Sequence, residues 1–166
     1  MWVDGLKKDI GGLRMNITLL EKRIIEAEAL APILKVFITE LGLEKVRDLV
    51  TDINRKTSQQ YVRDLGKLSG STTLADLADE IIKWSAGDAL EVKIIEQTEN
   101  KFYFNVTRCR FAEAYDKLGV RDMGTALSCC RDFGFIEGFN PKIKLDRTRT
   151  IMEGALVCDF RYNLKE

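Results

Sequence analysis

The chain has 166 residues, 45% of them hydrophobic, with 26 Lys+Arg against 26 Asp+Glu and no histidine. Balanced charge gives no field that would steer it to nucleic acid or an anionic membrane. The missing imidazole excludes a Ser-His-Asp triad, a Cys-His dyad, an H-E-x-x-H zinc site and a two-His iron site, so any chemistry must use thiols, carboxylates, arginine or lysine.

A chain this long buries about 70% of its unfolded surface in one core. A single domain over 1–166 is expected, with a helical half, 1–86, and a mixed half, 87–166, that carries the cysteines. The start, Met1 to Asp9, has acids and glycine where a secretory leader needs apolar residues, and there is no apolar run of membrane-spanning length. The expected location is the cytoplasm. Its four cysteines are then expected to stay reduced, and their spacing gives no C-x-x-C pair.

From about Ile10 to Trp84 apolar residues recur at helical spacing: Leu13, Ile17, Leu20 and Ile24, then Ile33, Val36, Phe37 and Leu41 up to Gly42. Pro32 is expected to kink or start a helix. Leu43, Val46, Leu49, Val50 and Ile53 begin a further helix running through Tyr61 and Leu65. Gly70-Ser71-Thr72-Thr73 forms a capped turn before a short helix carrying Leu74, Leu77, Ile81 and Trp84. Leu19 and Ile25, opposite the main stripe, would suit a homodimer, and equally a helix buried on two sides.

After Gly87 the period changes to two. Leu90, Val92 and Ile94, then Phe102, Phe104 and Val106, predict a hairpin with one buried face. Helices are expected over Arg108–Leu118 and Met123–Phe133, and strands over Ile143–Thr150 and Leu156–Leu164, joined at Glu153-Gly154. The predicted fold is α+β, with N-terminal helices packed on a roughly four-stranded antiparallel sheet and helices inserted between its two hairpins.

Strand parity puts Cys158 on one face with Leu156, Phe160 and Tyr162, and Arg147 on one with Ile143 and Leu145. An arginine there is either an ion pair with Asp132 or Glu153 or a clamp for a substrate carboxylate. Cys109 opens a helix with Thr107 available as cap, where the helix dipole is expected to lower its pKa. Cys129 and Asp132, three apart, share a helix face. Each cysteine taken alone also reads as a small buried hydrophobe, and one of Cys129 and Cys130 as incidental core.

Phe104-Asn105-Val106-Thr107-Arg108-Cys109-Arg110-Phe111, Leu127-Ser128-Cys129 with Asp132-Phe133, Glu137-Gly138-Phe139-Asn140-Pro141, Arg147-Thr148-Arg149-Thr150-Ile151-Met152-Glu153-Gly154 and Cys158-Asp159-Phe160-Arg161-Tyr162 resemble the L-2-amino-thiazoline-4-carboxylic acid hydrolase family. The helical half resembles it around Glu26–Gly42 and Leu74–Leu90. The resemblance implies hydrolytic opening of a 2-aminothiazoline ring to an N-carbamoyl-cysteine-type product, with a small-molecule substrate and no cofactor. On that reading Cys109, Cys129, Asp132 and Cys158 form the catalytic set: a thiolate, Cys109 or Cys158, attacks, or Asp132 activates water. Arg147, Thr150 and Glu153 bind substrate, and Glu153 or Asp159 protonates leaving groups. One alternative makes Cys109, Cys129 and Cys158 thiolate ligands of zinc or an iron-sulfur cluster. Another is a noncatalytic small-molecule-binding module, distantly similar in layout to 4-vinyl reductase domains.

Overall fold

The computed structural model describes residues 9–10, 13–14, 17–69 and 72–165, with side chains over 17–64 and 72–165. The leader reading on Met1–Lys8 and the Gly70-Ser71 part of the predicted turn lie outside the described residues.

Strands β1 (Asp9–Ile10) and β2 (Leu13–Arg14) pair antiparallel, so helix does not begin at Ile10 as the periodicity suggested. Helix α1 (Leu19–Leu41) starts where Thr18 can cap it: the Glu21 N–H donates to Thr18 Oγ1 at 3.1 Å and the Thr18 N–H to Glu21 Oε2 at 2.7 Å. Gly42, at φ +84°, ends it. Pro32 lies inside α1 without dividing it.

The buried stripe of α1 is Leu20, Arg23, Ala27, Ala31 and Leu34. Ile33, Val36, Phe37 and Leu41, expected to face inward, are about half exposed, as are Ile25 and Leu49, while Ile53 is more exposed still. The inward face thus mixes Ala27 and Ala31 with Leu20, Arg23 and Leu34, and Ile33, Val36, Phe37 and Leu41 fall on the outside.

Helix α2 (Leu43–Ser69) is followed by α3 (Leu74–Lys83), capped reciprocally by Thr73 and Asp76. No helix among the described residues is long and apolar enough to cross a membrane. Strands β3 (Leu90–Gln97) and β4 (Lys101–Cys109) form the predicted hairpin. Helix α4 (Arg110–Lys117), a 3-10 turn (Arg121–Met123), a π turn (Thr125–Cys129) and helix α5 (Cys130–Phe139) follow, so the predicted second helix starts later and runs farther, to Phe139. Strand β5 (Ile143–Asp146), a 3-10 turn (Ile151–Glu153) and β6 (Cys158–Leu164) complete the fold.

The sheet is antiparallel in the order β3-β4-β6-β5. Phe102 pairs with Tyr162, Phe104 with Phe160 and Val106 with Cys158 across β4 and β6, all buried. The Phe104 and Phe160 rings stack at 4.8 Å, which fixes the register because a one-residue slip would turn this face to water. On β3 the expected buried face is not realised: Val92 is 37% and Ile94 49% exposed. This edge strand shifts register twice, between Glu91 and Val92 and between Ile94 and Glu96, so its side chains do not keep strict alternation. Leu156, predicted in the last strand, precedes β6 and is exposed.

Helix α5 lies against α2 almost backbone to backbone. A methyl group built on Gly134 would meet the Arg55 carbonyl oxygen at 2.1 Å, and one on Gly138 would meet that of Gln59 at 2.4 Å. Ion pairing of Arg55 with Glu137 flanks this seam.

Candidate functional site

A cavity of about 100 Å³ opens between the helices and the sheet. Phe111, Phe135, Phe160, Trp84, Val106 and Met152 give it an apolar wall; its polar groups include Cys109, Cys129, Asp132, Arg147 and Cys158. The structure therefore brings all four residues of the expected catalytic set, with Arg147, to one space.

The π turn and the start of α5 bring Cys129 and Asp132 to the polar wall. Wider i→i+5 winding leaves carbonyls available to side chains. The Ala126 carbonyl accepts from Asn54 Nδ2 at 2.9 Å and Cys130 Sγ at 3.0 Å, the Leu127 carbonyl from Arg131 Nε at 2.8 Å, and the Cys129 carbonyl from Arg147 Nη2 at 3.0 Å. This holds Cys129 and Asp132 toward the cavity, while Cys130 is buried away from its lining.

Arg147 Nη1 donates to Asp132 Oδ2, and the guanidinium lies 5.0 Å from both the Phe133 and Phe160 ring centroids. With its side chain 5% exposed, the ion-pair reading of Arg147 is the arrangement present, with Asp132 rather than Glu153 as partner. Burial pushes the Asp132 carboxyl up from the ordinary aspartate range, and the Arg147 charge opposes the rise. The Tyr162 hydroxyl is fully buried without a hydrogen-bond partner among the described residues. The charges of Asp132 and Arg147 act on it.

Cys109 is itself the cap residue of α4; the expected cap, Thr107, instead donates to the Glu91 carbonyl at 3.3 Å. The expected lowering of the Cys109 pKa does not occur. Burial raises it to about 11, outweighing the Ala112 and Phe111 N–H groups that favour the thiolate. Cys129 is pushed well above the ordinary thiol value, Cys130 to about 11, and Cys158 upward, in each case chiefly by burial. The Ile151 N–H, donating to Cys158 Sγ at 3.2 Å, only moderates the last. Folded protein at pH 7.5 should accordingly react with iodoacetamide at least about tenfold more slowly than denatured protein, and faster as pH rises. One rapidly labelled cysteine, located by peptide mass mapping, would contradict this.

Thr150 and Glu153 are not on the cavity lining. Thr150 caps the 3-10 turn, donating to Glu153 Oε2 at 2.6 Å and accepting from the Glu153 N–H at 3.2 Å. Asp159 is also absent from it. It accepts from Thr148 N and Arg149 N at 2.9 Å and from Thr148 Oγ1 at 2.6 Å. Burial would raise its pKa, but these bonds lower it, so it is an ionised loop anchor. Among the described residues no three of Cys, Asp or Glu gather as metal ligands, so the three-thiolate alternative lacks its geometry. Leu19 lines the cavity, which fits the reading of a helix buried on two sides, while Ile25 is half exposed.

Sequence reasoning missed Arg23, Ser58 and Arg131, all cavity-lining. Arg23 carried a usable signal: it falls on the heptad-like stripe Leu20, Arg23, Ala27, Ala31, Leu34, where a charge has no place without a task.

Fold and site together define an α+β domain whose cysteine-, aspartate- and arginine-lined cavity lies between a helical layer and an antiparallel sheet. Residues 22–162 match the family described as L-2-amino-thiazoline-4-carboxylic acid hydrolase, and the chain belongs to that family. No curated protein matches the chain. Among solved structures, a trafficking protein particle complex subunit 3 from Naegleria fowleri, covalently bound to palmitic acid, is similar with TM-score 0.52 at 12% identity, over 88% of this chain and 96% of that one. The phenol-responsive sensory domain of the transcription activator PoxR, with phenol, is similar with TM-score 0.50 at 12% identity, over 83% of this chain and 74% of that one. At such identity the likeness concerns the fold.

Proposed function

We propose that the cavity binds a compact heterocyclic substrate and hydrolyses it, opening a 2-aminothiazoline-4-carboxylate-type ring. The observation that carries this reading is the Asp132 carboxyl, raised by burial and held by Arg147, facing the same cavity as three thiols. A carboxylate raised toward neutrality is a better base than an ordinary one. Asp132 takes a proton from water as the oxygen bonds to the ring carbon between nitrogen and sulfur. Asp132 returns that proton to the ring nitrogen as its C=N bond becomes single; the carbon–sulfur bond then breaks as the added hydroxyl becomes the carbonyl oxygen, and the hydroxyl proton passes to the departing sulfur, giving an N-carbamoyl thiol. Water replaces the thiolate as nucleophile because burial keeps Cys109, Cys129 and Cys158 protonated. As thiols they can donate weak hydrogen bonds to the ring.

The test is thiol release from L-2-amino-thiazoline-4-carboxylate under catalytic amounts of protein. Wild type should turn over, and Asp132→Asn should lose about 10²-fold or more in kcat while remaining folded. The same protonated thiols favour a second reading, a noncatalytic small-molecule-binding module. Retention of the compound without turnover by folded wild type would replace the first reading with the second.

A further inference from the structure

Arg147 is occupied at both ends of its fork, by Asp132 and by the Cys129 carbonyl. A substrate carboxylate meeting Arg147 would compete with Asp132 for it. The cavity lining holds two further guanidiniums, Arg23 from α1 and Arg131 from α5, against a single lining carboxylate, Asp132, which Arg147 already engages. Their side chains are 6% and 14% exposed. Both reach Glu26: Arg23 Nη1 bonds to Oε2, and Arg131 Nη2 stands 3.9 Å from the same oxygen, at the outer limit of an ion pair, while Arg131 Nε donates to the Leu127 carbonyl at 2.8 Å. The two cations repel each other strongly enough that, after burial, Arg131 is the next cause lowering Arg23 to about 10.

Such a pair is a poor device for stability alone. Burying a guanidinium is expensive, and placing a second beside it adds repulsion, whereas aliphatic side chains would fill the same interior positions without either penalty. Two planar forks on a cavity wall suit bidentate capture of a planar oxyanion. Ser58, also on the lining, adds a hydroxyl, although that hydroxyl donates to the Arg131 carbonyl at 2.9 Å.

We propose that Arg23 and Arg131 form the anion-recognition end of the cavity and take the carboxylate of a small aromatic or heterocyclic acid, whose ring lies against the Trp84, Phe135 and Phe160 side chains. The assignment rests on the cavity being a ligand site, as in the function proposed above, and not on hydrolysis. It divides the cavity into a recognition end on α1 and α5 and a reaction end at Asp132 and Arg147.

Benzoate and its neutral isostere benzamide separate the two ideas because neither contains the thiazoline ring. Their affinities are measured by calorimetry on wild type, Arg131→Gln and Arg131→Lys, with thermal unfolding confirming that each variant is folded. Wild type is expected to bind benzoate at least about tenfold more tightly than benzamide. Arg131→Gln should remove most of that preference with benzamide unchanged, and Arg131→Lys should retain part of it. Equal binding of the two probes by wild type, equal losses for both in Arg131→Gln, or no binding of either would overturn the assignment. If Arg131→Gln fails to fold, the wild-type preference and the Arg131→Lys variant still decide. Charge-selective binding with no turnover of the thiazoline would overturn the hydrolase reading alone.

Discussion

Replacing Arg147 by methionine is expected to destabilise the protein by about 3 kcal/mol at neutral pH, read as a lower urea midpoint at unchanged slope. Methionine keeps an apolar stem beside Phe133 and Phe160 but removes the charge that Asp132 faces and the donor that satisfies the Cys129 carbonyl. Asp132 would then be a carboxylate in surroundings that already raise its pKa, without its counterion. A folded-state pKa above the unfolded value contributes stability below the unfolded pKa, and that contribution is lost as pH rises through the folded one. The deficit relative to wild type should therefore shrink on moving from pH 7 toward about pH 4, near the unfolded aspartate value. Adding Asp132→Leu should restore much of the loss, because removing both charges is far milder than stranding one. A deficit independent of pH and unrelieved by the second substitution would show that the pair bears no electrostatic load.

Gly134→Ala is expected to cost about 3 kcal/mol and lower the thermal midpoint by roughly 6–12 °C. The added carbon would lie 2.1 Å from the Arg55 carbonyl oxygen, and that atom belongs to the backbone of α2, so no rotamer change can relieve the clash. Gly138→Ala, meeting Gln59 O at 2.4 Å, should behave similarly. Gly119→Ala is the comparison: nothing lies within 4 Å of the added carbon, and its φ of +64° leaves only left-handed strain, about 1–2 kcal/mol. Equal midpoints for Gly134→Ala and Gly119→Ala would rule out a tight α2–α5 seam.

The elements with strong periodicity were legible in the sequence. The switch from 3.6 to 2 after Gly87, the hydroxyl caps at Thr73 and the alternation of Phe102, Phe104 and Val106 foretold helices followed by hairpins. The inward stripe of α1 was not, because hydrophobicity points to Ile33, Val36 and Phe37 while the buried stripe includes Arg23, Ala27 and Ala31. Of the site, Cys109, Cys129, Asp132, Arg147 and Cys158 were found from strand parity, helix spacing and family resemblance. Their thiol acidity was misjudged because a helix dipole is read from local sequence, whereas burial is set by chain segments far away. Arg131 escaped notice for the same reason, whereas Arg23 had a local signal in its place on the α1 stripe. Thr150, Glu153 and Asp159 look chemical in sequence yet spend their side chains holding turns.

The seam between α2 and α5 has a mechanical consequence. Contacts between flexible side chains let helices slide by small rotamer adjustments, but carbonyl oxygens seated over glycine offer discrete stopping places. The segment bearing Arg131 and Asp132 is thus indexed to α2 like a pawl on a ratchet. Ligands of different size would be accommodated by movement elsewhere, with the two polar ends of the cavity kept at a fixed spacing.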